Sequence, residues 1–318
     1  DWAFAAEYDF ISTESGLSEF TKPSCDLMLQ LFQVFTQHVA IEWKREALTK
    51  VHCSTDQFCT EVDESGAPKY PDPRTGEPIN FNFLPTYALD GLGVMAHTVQ
   101  VYSFDDPSAN SYGNDNFTYM SDYMNYEASL NKRPVLYYGE SAYWVNVDVD
   151  VPLFLPLSGQ RRLYDLRKTA VEEINDGFRI DGQANFESGW EFGYFISNAI
   201  TARAVWNPYL DITDDWLAYR AAIADIIPAS MFAGGIAMSP NSDVTEFLST
   251  AEQLANNVYD TIIRFAQVQA EVLIYSNVIA NGSSDSYDYL LKLSGHAYMS
   301  GSDTWVDLER ALGLSITQ

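Results

Sequence analysis

Residues 133–156 read RPVLYYGESAYWVNVDVDVPLFLP, and the fold turns on how this stretch is parsed. Val135, Leu136, Tyr137 and Tyr138 have the β-branched and aromatic character of a buried strand, which Gly139 closes. Glu140 then stands at the C-terminal end of that strand, with Tyr143 and Trp144 just beyond it. In a parallel α/β sheet or barrel, this is the end where side chains leave the packed core and meet ligands. A carboxylate beside aromatic faces suits a carbohydrate, whose rings offer apolar C–H surfaces for stacking and hydroxyls for hydrogen bonds. The structural alternative for Glu140 is a capping or salt-bridging role.

Toward the N-terminus the same plan recurs. Residues 2–11, WAFAAEYDFI, predict a buried strand running into the polar turn 12–16, so Glu14 repeats the position of Glu140. Apolar residues at helical spacing from Cys25 to Trp43, after Pro23 and Ser24, predict a helix. Leu48–Cys53 is the next strand, with His52 near its end, and a loop rich in Pro, Gly and Asp runs from there to residue 80. A loop of that length in a compact domain points to function. Residues 93–104 predict a third strand carrying His97, with Tyr102 near its end, and a helix is expected over 116–130.

Beyond Glu140, the alternation in Asn146–Pro152 suggests an extended piece, but Pro152 and Pro156 place it in a loop or edge hairpin. Asp148 and Asp150 are its metal candidates, since their oxygens suit a hard cation, although no further ligands follow at a recognisable spacing. The helix expected over 160–174 carries Arg161, Arg162, Arg167 and Lys168, which a chain this acidic should pair with neighbouring carboxylates. Residues 177–186 predict a fifth strand, followed by Glu187, Trp190 and Glu191 and a helix to Trp206. After Asn207-Pro208 only helical patterns remain, so residues 1–206 are expected to form a βα catalytic region, with 207–318 as a helical extension packed on it.

Composition narrows the function. The chain has 318 residues, 47% of them hydrophobic, enough for a large core, and its formal charge is −26, from 44 acidic against 18 basic residues. Such a surface repels phosphate backbones and anionic headgroups, which argues against nucleic acid as a partner. No apolar run approaches the roughly 20 residues of a membrane span. The first ten residues, DWAFAAEYDF, lack the charged-then-apolar plan of a signal peptide, as a mature or trimmed chain would. Cys53 and Cys59 are close enough in sequence to close a small disulfide ring, leaving Cys25 unpaired or bonded to a segment outside the chain. Asn116 and Asn281 begin N-glycosylation sequons. Together these features predict a secreted or extracellular protein.

Five strands ending near Glu14, His52, Tyr102, Glu140 and Glu187 are too few for a closed eight-stranded barrel. The fold class expected is therefore α/β: a (β/α) barrel or partial barrel with a C-terminal helical extension, or else an open five-stranded sheet. If the five are the last strands of a barrel, a second chain or a missing N-terminal segment supplies the others. Glu14 then falls on the fourth strand and Glu140 on the seventh. Over residues 1–206 this layout resembles the (β/α)8-barrel retaining glycoside hydrolases, although Thr13 stands before Glu14 where that group commonly has Asn. The resemblance implies Glu140 as nucleophile and Glu14 as general acid/base, with no cofactor. Glu187 or Glu191 would hold a hydroxyl or tune a neighbour by like-charge repulsion.

In that reading Tyr102, Tyr143, Trp144 and Trp190 supply stacking faces, and His52 and His97 bind sugar hydroxyls unless they are satisfied core residues. Rival chemistries lack their signatures: Ser141 sits in Gly-Glu-Ser-Ala rather than a nucleophile elbow, and neither a P-loop nor a dinucleotide-binding glycine pattern nor zinc spacing is present. The rival function is a secreted, non-catalytic carbohydrate-binding or structural protein on a barrel scaffold. Carboxylates in an open aromatic cleft favour the glycosidase; carboxylates tied into salt bridges favour the rival.

Overall fold

The computed structural model describes residues 9–14, 24–54, 57–98, 103–105, 116–140, 158–186, 191–233 and 244–279. They fall into two compact units. The first holds five strands: β1 (Phe10–Glu14), β2 (Glu46–Val51), β3 (Leu92–Thr98), β4 (Val135–Glu140) and β5 (Gly182–Phe186). They lie in sequence order as a parallel sheet curled into a half-barrel. β2 and β4 lie within a few residues of their expected places, whereas β1 includes residues 12–14 that were expected in a turn, β3 ends at Thr98 rather than near 104, and β5 begins at Gly182 rather than 177; residues 2–8 of the expected first strand lie outside the described residues.

All residues of β3 are buried, as befits a strand inside a parallel sheet covered on both sides. β1, at one end of the strand order, alternates between exposed and half-buried. Register fixes which residues share a face. Glu14 pairs with Lys50, Lys50 with Met95, Met95 with Leu136, and His97 with Tyr138. Because side chains alternate along a strand, Glu14, Lys50, Met95, His97, Leu136, Tyr138 and Glu140 occupy one face. Gly93 lies in the same rows, opposite Leu48, and a Cβ there would meet Leu48 Cδ2 at 2.6 Å and the Pro134 carbonyl at 3.0 Å. Only glycine lets the adjacent strands close at this point.

Two helices accompany the sheet. α1 (Cys25–Thr36) passes into a π-helical turn over Gln37–Glu42, so the single helix expected to Trp43 changes its hydrogen-bonding register near its end. α2 (Thr118–Leu130) packs beside β3 and β4 and ends on Asn131 in the left-handed region, at φ 49°. The expected long loop is an ordered lobe: Phe58 bridges Asn80, Val62 bridges Pro68 and Pro71 bridges Pro78. Asp72 grips Arg74 through two hydrogen bonds of 3.0 and 2.7 Å, and the guanidinium lies over Phe83.

The disulfide differs from the Cys53–Cys59 ring expected. Cys25 bonds Cys59 across a separation of 34 residues, with Cα atoms 5.9 Å apart. Cys53, two residues past the end of β2, is a buried thiol outside the bridge, and its backbone carbonyl accepts from the Tyr119 hydroxyl. Cys59 is instead held by the lobe, its amide donating to the Ile79 carbonyl, beside the start of α1. Closeness in sequence misled because the chain changes direction between the sheet and the lobe.

The second unit is helical: α3 (Ser158–Asp176) as far as Val171, α4 (Glu191–Trp206), α5 (Asp215–Ala233) and α6 (Val244–Ile279). Leu163, Ile200, Ala204, Tyr219, Ile223 and Ile262 belong to one buried cluster. Ile200 and Ala204 of α4 thus share a core with Tyr219 and Ile223 of α5, whereas the expected boundary at residue 206 would separate those helices. Basic residues of α3 pair with acids as predicted: Arg162 with Asp165 at 3.4 Å and Arg167 with Asp215 at 2.9 Å. Arg167 also donates to the carbonyls of Pro208, Tyr209 and Ile212, tying down the turn between α4 and α5.

Candidate active site

β1 and β4 each end on a glutamate. In a parallel sheet both residues stand at the C-terminal edge. Their surroundings differ. Glu140 is 3% exposed, with its carboxylate 3.4 Å from His97 Nε2. The Glu14 side chain is 46% exposed and lies 2.8 Å from Lys50 Nζ. Tyr138 connects the two electrostatically: burial first, then the Glu140 and Glu14 charges, push its hydroxyl above the ordinary phenol range. A phenolate there would face two carboxylates, so Tyr138 stays protonated and able to donate.

The buried face of the site is a row of rings. His97 lies 5.0 Å from Tyr138 and 5.6 Å from His52, centroid to centroid. Burial, helped by the charge of Lys50, pulls His52 down to about 3, which keeps it neutral at ordinary pH. Its Nδ1 accepts a 3.1 Å hydrogen bond from the Ser54 amide, which leaves the ring proton on Nε2. The segment bearing His52 is clamped in turn. The Ser54 carbonyl accepts from the side-chain amides of Asn80 and Asn82, both at 3.1 Å, and Asn82 also reaches the Ser54 hydroxyl. Asn80 further caps the 3-10 helix Phe81–Tyr87 by accepting from the Asn82 amide. The lobe therefore positions His52 through Asn80 and Asn82.

The structure thus gathers Glu140, His97 and His52, and brings Glu14 into the same field through Tyr138. Lys50, Tyr138, Asn80 and Asn82 were not singled out from sequence. Alternation could have found the first two, since each stands two residues before a singled-out one, His52 or Glu140, and so shares its face. The two asparagines gave no periodic signal. Asn116 accepts from the Thr118 amide at 3.0 Å and from its hydroxyl at 2.7 Å, at the entry to α2. Glu191 opens α4 in the helical unit. Tyr102, Tyr143, Trp144, Asp148, Asp150, Glu187, Trp190 and Asn281 lie outside the described residues.

Among the described residues, one trio has potential metal-ligand atoms within 4.8 Å of one another: Cys25, Cys59 and Glu61. Both of its sulfurs are committed to the disulfide, and Glu61 accepts from the Ser24 hydroxyl and the Cys25 amide. No described helix is long and apolar enough to cross a membrane. No protein-family model, curated protein or solved structure matches the chain.

Proposed function

We propose that this protein is an extracellular glycoside hydrolase acting on a neutral or weakly charged glycan. Glu140 is its nucleophile and Glu14 its general acid/base. The observation that carries the proposal is the C-terminal sheet edge, where two strand-terminal glutamates share one face with Tyr138, His97 and Lys50. Glycosidic cleavage needs two carboxyl groups with different tasks, one to receive positive charge developing at the anomeric carbon and one to protonate the leaving oxygen. Different environments separate such tasks. Glu140, buried against an imidazole, suits an ionised nucleophile. Glu14, half-exposed beside a lysine, sits where a leaving group and water can be reached. The half-barrel is the scaffold; in this reading it belongs to a (β/α)8 barrel whose remaining strands come from a further segment or a second chain. The −26 charge and the disulfide support a polyanion-excluding, secreted protein, with Asn116 and Asn281 as its glycan acceptors.

One observation favours the second reading, a non-catalytic carbohydrate-binding protein: the 2.8 Å Glu14–Lys50 pair, which fixes a carboxylate that catalysis needs to exchange a proton. The two readings separate in an assay of aryl glycosides and polysaccharides with the parent protein, Glu140→Gln and Glu14→Gln. The amide keeps the size but neither attacks carbon nor donates an acid proton. Turnover by the parent, falling at least about a thousandfold (roughly 4 kcal/mol) in Glu140→Gln, is the expected result. Glycan binding with no turnover by the parent selects the second reading.

A further inference from the structure

We infer that the Cys25–Cys59 disulfide is a redox-dependent latch: closed, it holds the lobe of residues 57–80 in place beside His52, and opened by a dithiol it lets that lobe unfold locally while the sheet stays intact. The latch acts on the neighbourhood of His52 whatever reaction the site performs. A lobe keeps its shape through buried apolar surface or through ties to its surroundings. In residues 57–78 the buried apolar side chains are Cys59 and Tyr70, while Phe58 and Val62 are 46% and 60% exposed. So small a core leaves the ties to hold the lobe.

Polar ties join it to α1. Glu61 accepts from the Cys25 amide at 2.8 Å and from the Ser24 hydroxyl at 3.1 Å, capping a helix whose own N-cap residue, Ser24, makes no side-chain cap. Asp26 accepts from Lys69 Nζ at 2.7 Å and from the Tyr70 hydroxyl at 2.6 Å. The Asp26 and Lys69 side chains are 40% and 44% exposed, so water screens their attraction. The disulfide is covalent and lies beneath these pairs, both of its cysteines being buried.

Cys59 is also where the latch meets the site. Its amide donates to the Ile79 carbonyl at 2.9 Å and the Phe81 amide donates to the Gln57 carbonyl at 2.7 Å, so Phe58 faces Asn80 between them. Asn80 donates to the Ser54 carbonyl, and the Ser54 amide donates to His52 Nδ1. Freeing Cys59 therefore loosens the rung beside Asn80, one step from the segment that carries His52. Opening proceeds by thiol–disulfide exchange: a thiolate of the dithiol attacks one bridge sulfur, the other leaves as a thiolate, and the reductant's second thiol displaces the first. The bridge takes up two electrons and two protons to become two thiols, and the dithiol becomes a disulfide. Because the bridge sulfurs are buried, the reductant meets them when the lobe opens transiently, which its small core permits.

The test treats the parent with dithiothreitol without denaturant, counts thiols by alkylation and mass spectrometry, and maps amide exchange peptide by peptide. The expected result is an opened bridge, exchange in residues 57–80 at least about tenfold faster, and unchanged exchange in β2, β3 and β4. Trypsin should then cut after Lys69 and Arg74, and re-oxidation should restore protection. Cys25→Ala/Cys59→Ala should show the same pattern without reductant. A bridge that stays closed, or that opens only together with the sheet, overturns the inference, as does an opened bridge with unchanged exchange in the lobe. If the double variant does not fold, the reduced parent decides alone. Because none of these readouts needs a substrate, a parent protein without glycosidase activity would refute the proposed function while leaving the latch readable.

Discussion

The two ends of β4 each bury a carboxylate beside a basic side chain, and they do so in opposite ways. Just before the strand, Arg133 lies 3.1 Å from Glu127, with both side chains at most 1% exposed. Its guanidinium also donates to the carbonyls of Pro85, Leu92, Thr86 and Ala88, and Glu127 accepts from the Thr86 hydroxyl. At the far end, Glu140 faces His97, whose charge depends on pH, and Tyr138, whose proton is held in place. Arginine is charged at every accessible pH and its fork is filled by fixed acceptors, which makes the first cluster a brace between the turn after the 3-10 helix and the entry to the strand. Histidine can gain and lose its proton near neutrality, which makes the second cluster capable of chemistry. The contrast follows the general division of parallel βα architectures, in which the C-terminal edge carries the reactive groups.

The largest effect should come from breaking the brace. Glu127→Ala leaves a buried guanidinium without its counter-charge and should cost about 3–5 kcal/mol, read by urea denaturation. Glu140→Gln, which removes a charge from an equally buried site but keeps its shape, should cost far less. Equal losses would erase the distinction between the two ends.

Next in size is the disulfide. Cys59→Ser frees the lobe that carries Asn80 and Asn82 and should cost about 2–4 kcal/mol. Thiol titration of the unfolded parent should find a single reactive thiol, since Cys25 and Cys59 are bonded and Cys53 is not part of the bridge. Two mixed-disulfide peptides containing Cys53 would contradict that pairing.

The third prediction uses pH to separate the ends. His52 binds a proton less readily folded than unfolded, about 3 against 6.5. The unfolded chain therefore takes up the proton first as pH falls, so this contribution to stability is complete above about pH 6.5 and is lost progressively toward pH 3. Between pH 7.5 and 5 the loss should be about 2 kcal/mol, and His52→Gln should remove that slope. Arg133 variants should shift the stability curve without changing its slope there. The smallest effect is expected at Lys50→Met: less than about 1 kcal/mol in stability, because Glu14 is half-exposed and solvent screens the pair, but an altered pH profile if Glu14 exchanges a proton during turnover.

The number and order of the strands and the two strand-end glutamates were legible because burial in a parallel sheet demands β-branched and aromatic runs, which Val135–Tyr138 and Val94–Ala96 supply, whereas the frame of β1, with its exposed and half-buried alternation, was placed several residues too early. His52 and His97 could be noticed, but their mutual placement required register, which depends on how strands separated by 40 residues or so align, and local sequence does not encode it. The Cys25–Cys59 bond and the Asn80–Asn82 clamp were hidden for the same reason: each joins the lobe to an element distant in sequence. The helical core gave its spacing away, yet its grouping of α4 with α5 depends on Ile200 and Ala204 meeting Tyr219 and Ile223, a tertiary choice that periodicity leaves open.

The account depends most on Glu140 acting as a nucleophile, and covalent trapping tests that directly. A fluorosugar glycoside with a good leaving group, matched to whichever aryl glycoside the parent hydrolyses, slows breakdown of a glycosyl-enzyme more than its formation. Mass spectrometry of the digested protein should then place one sugar adduct on the peptide carrying Glu140, and none in Glu140→Gln. A stable adduct on another carboxylate, or continued hydrolysis with no adduct on Glu140, would contradict the account.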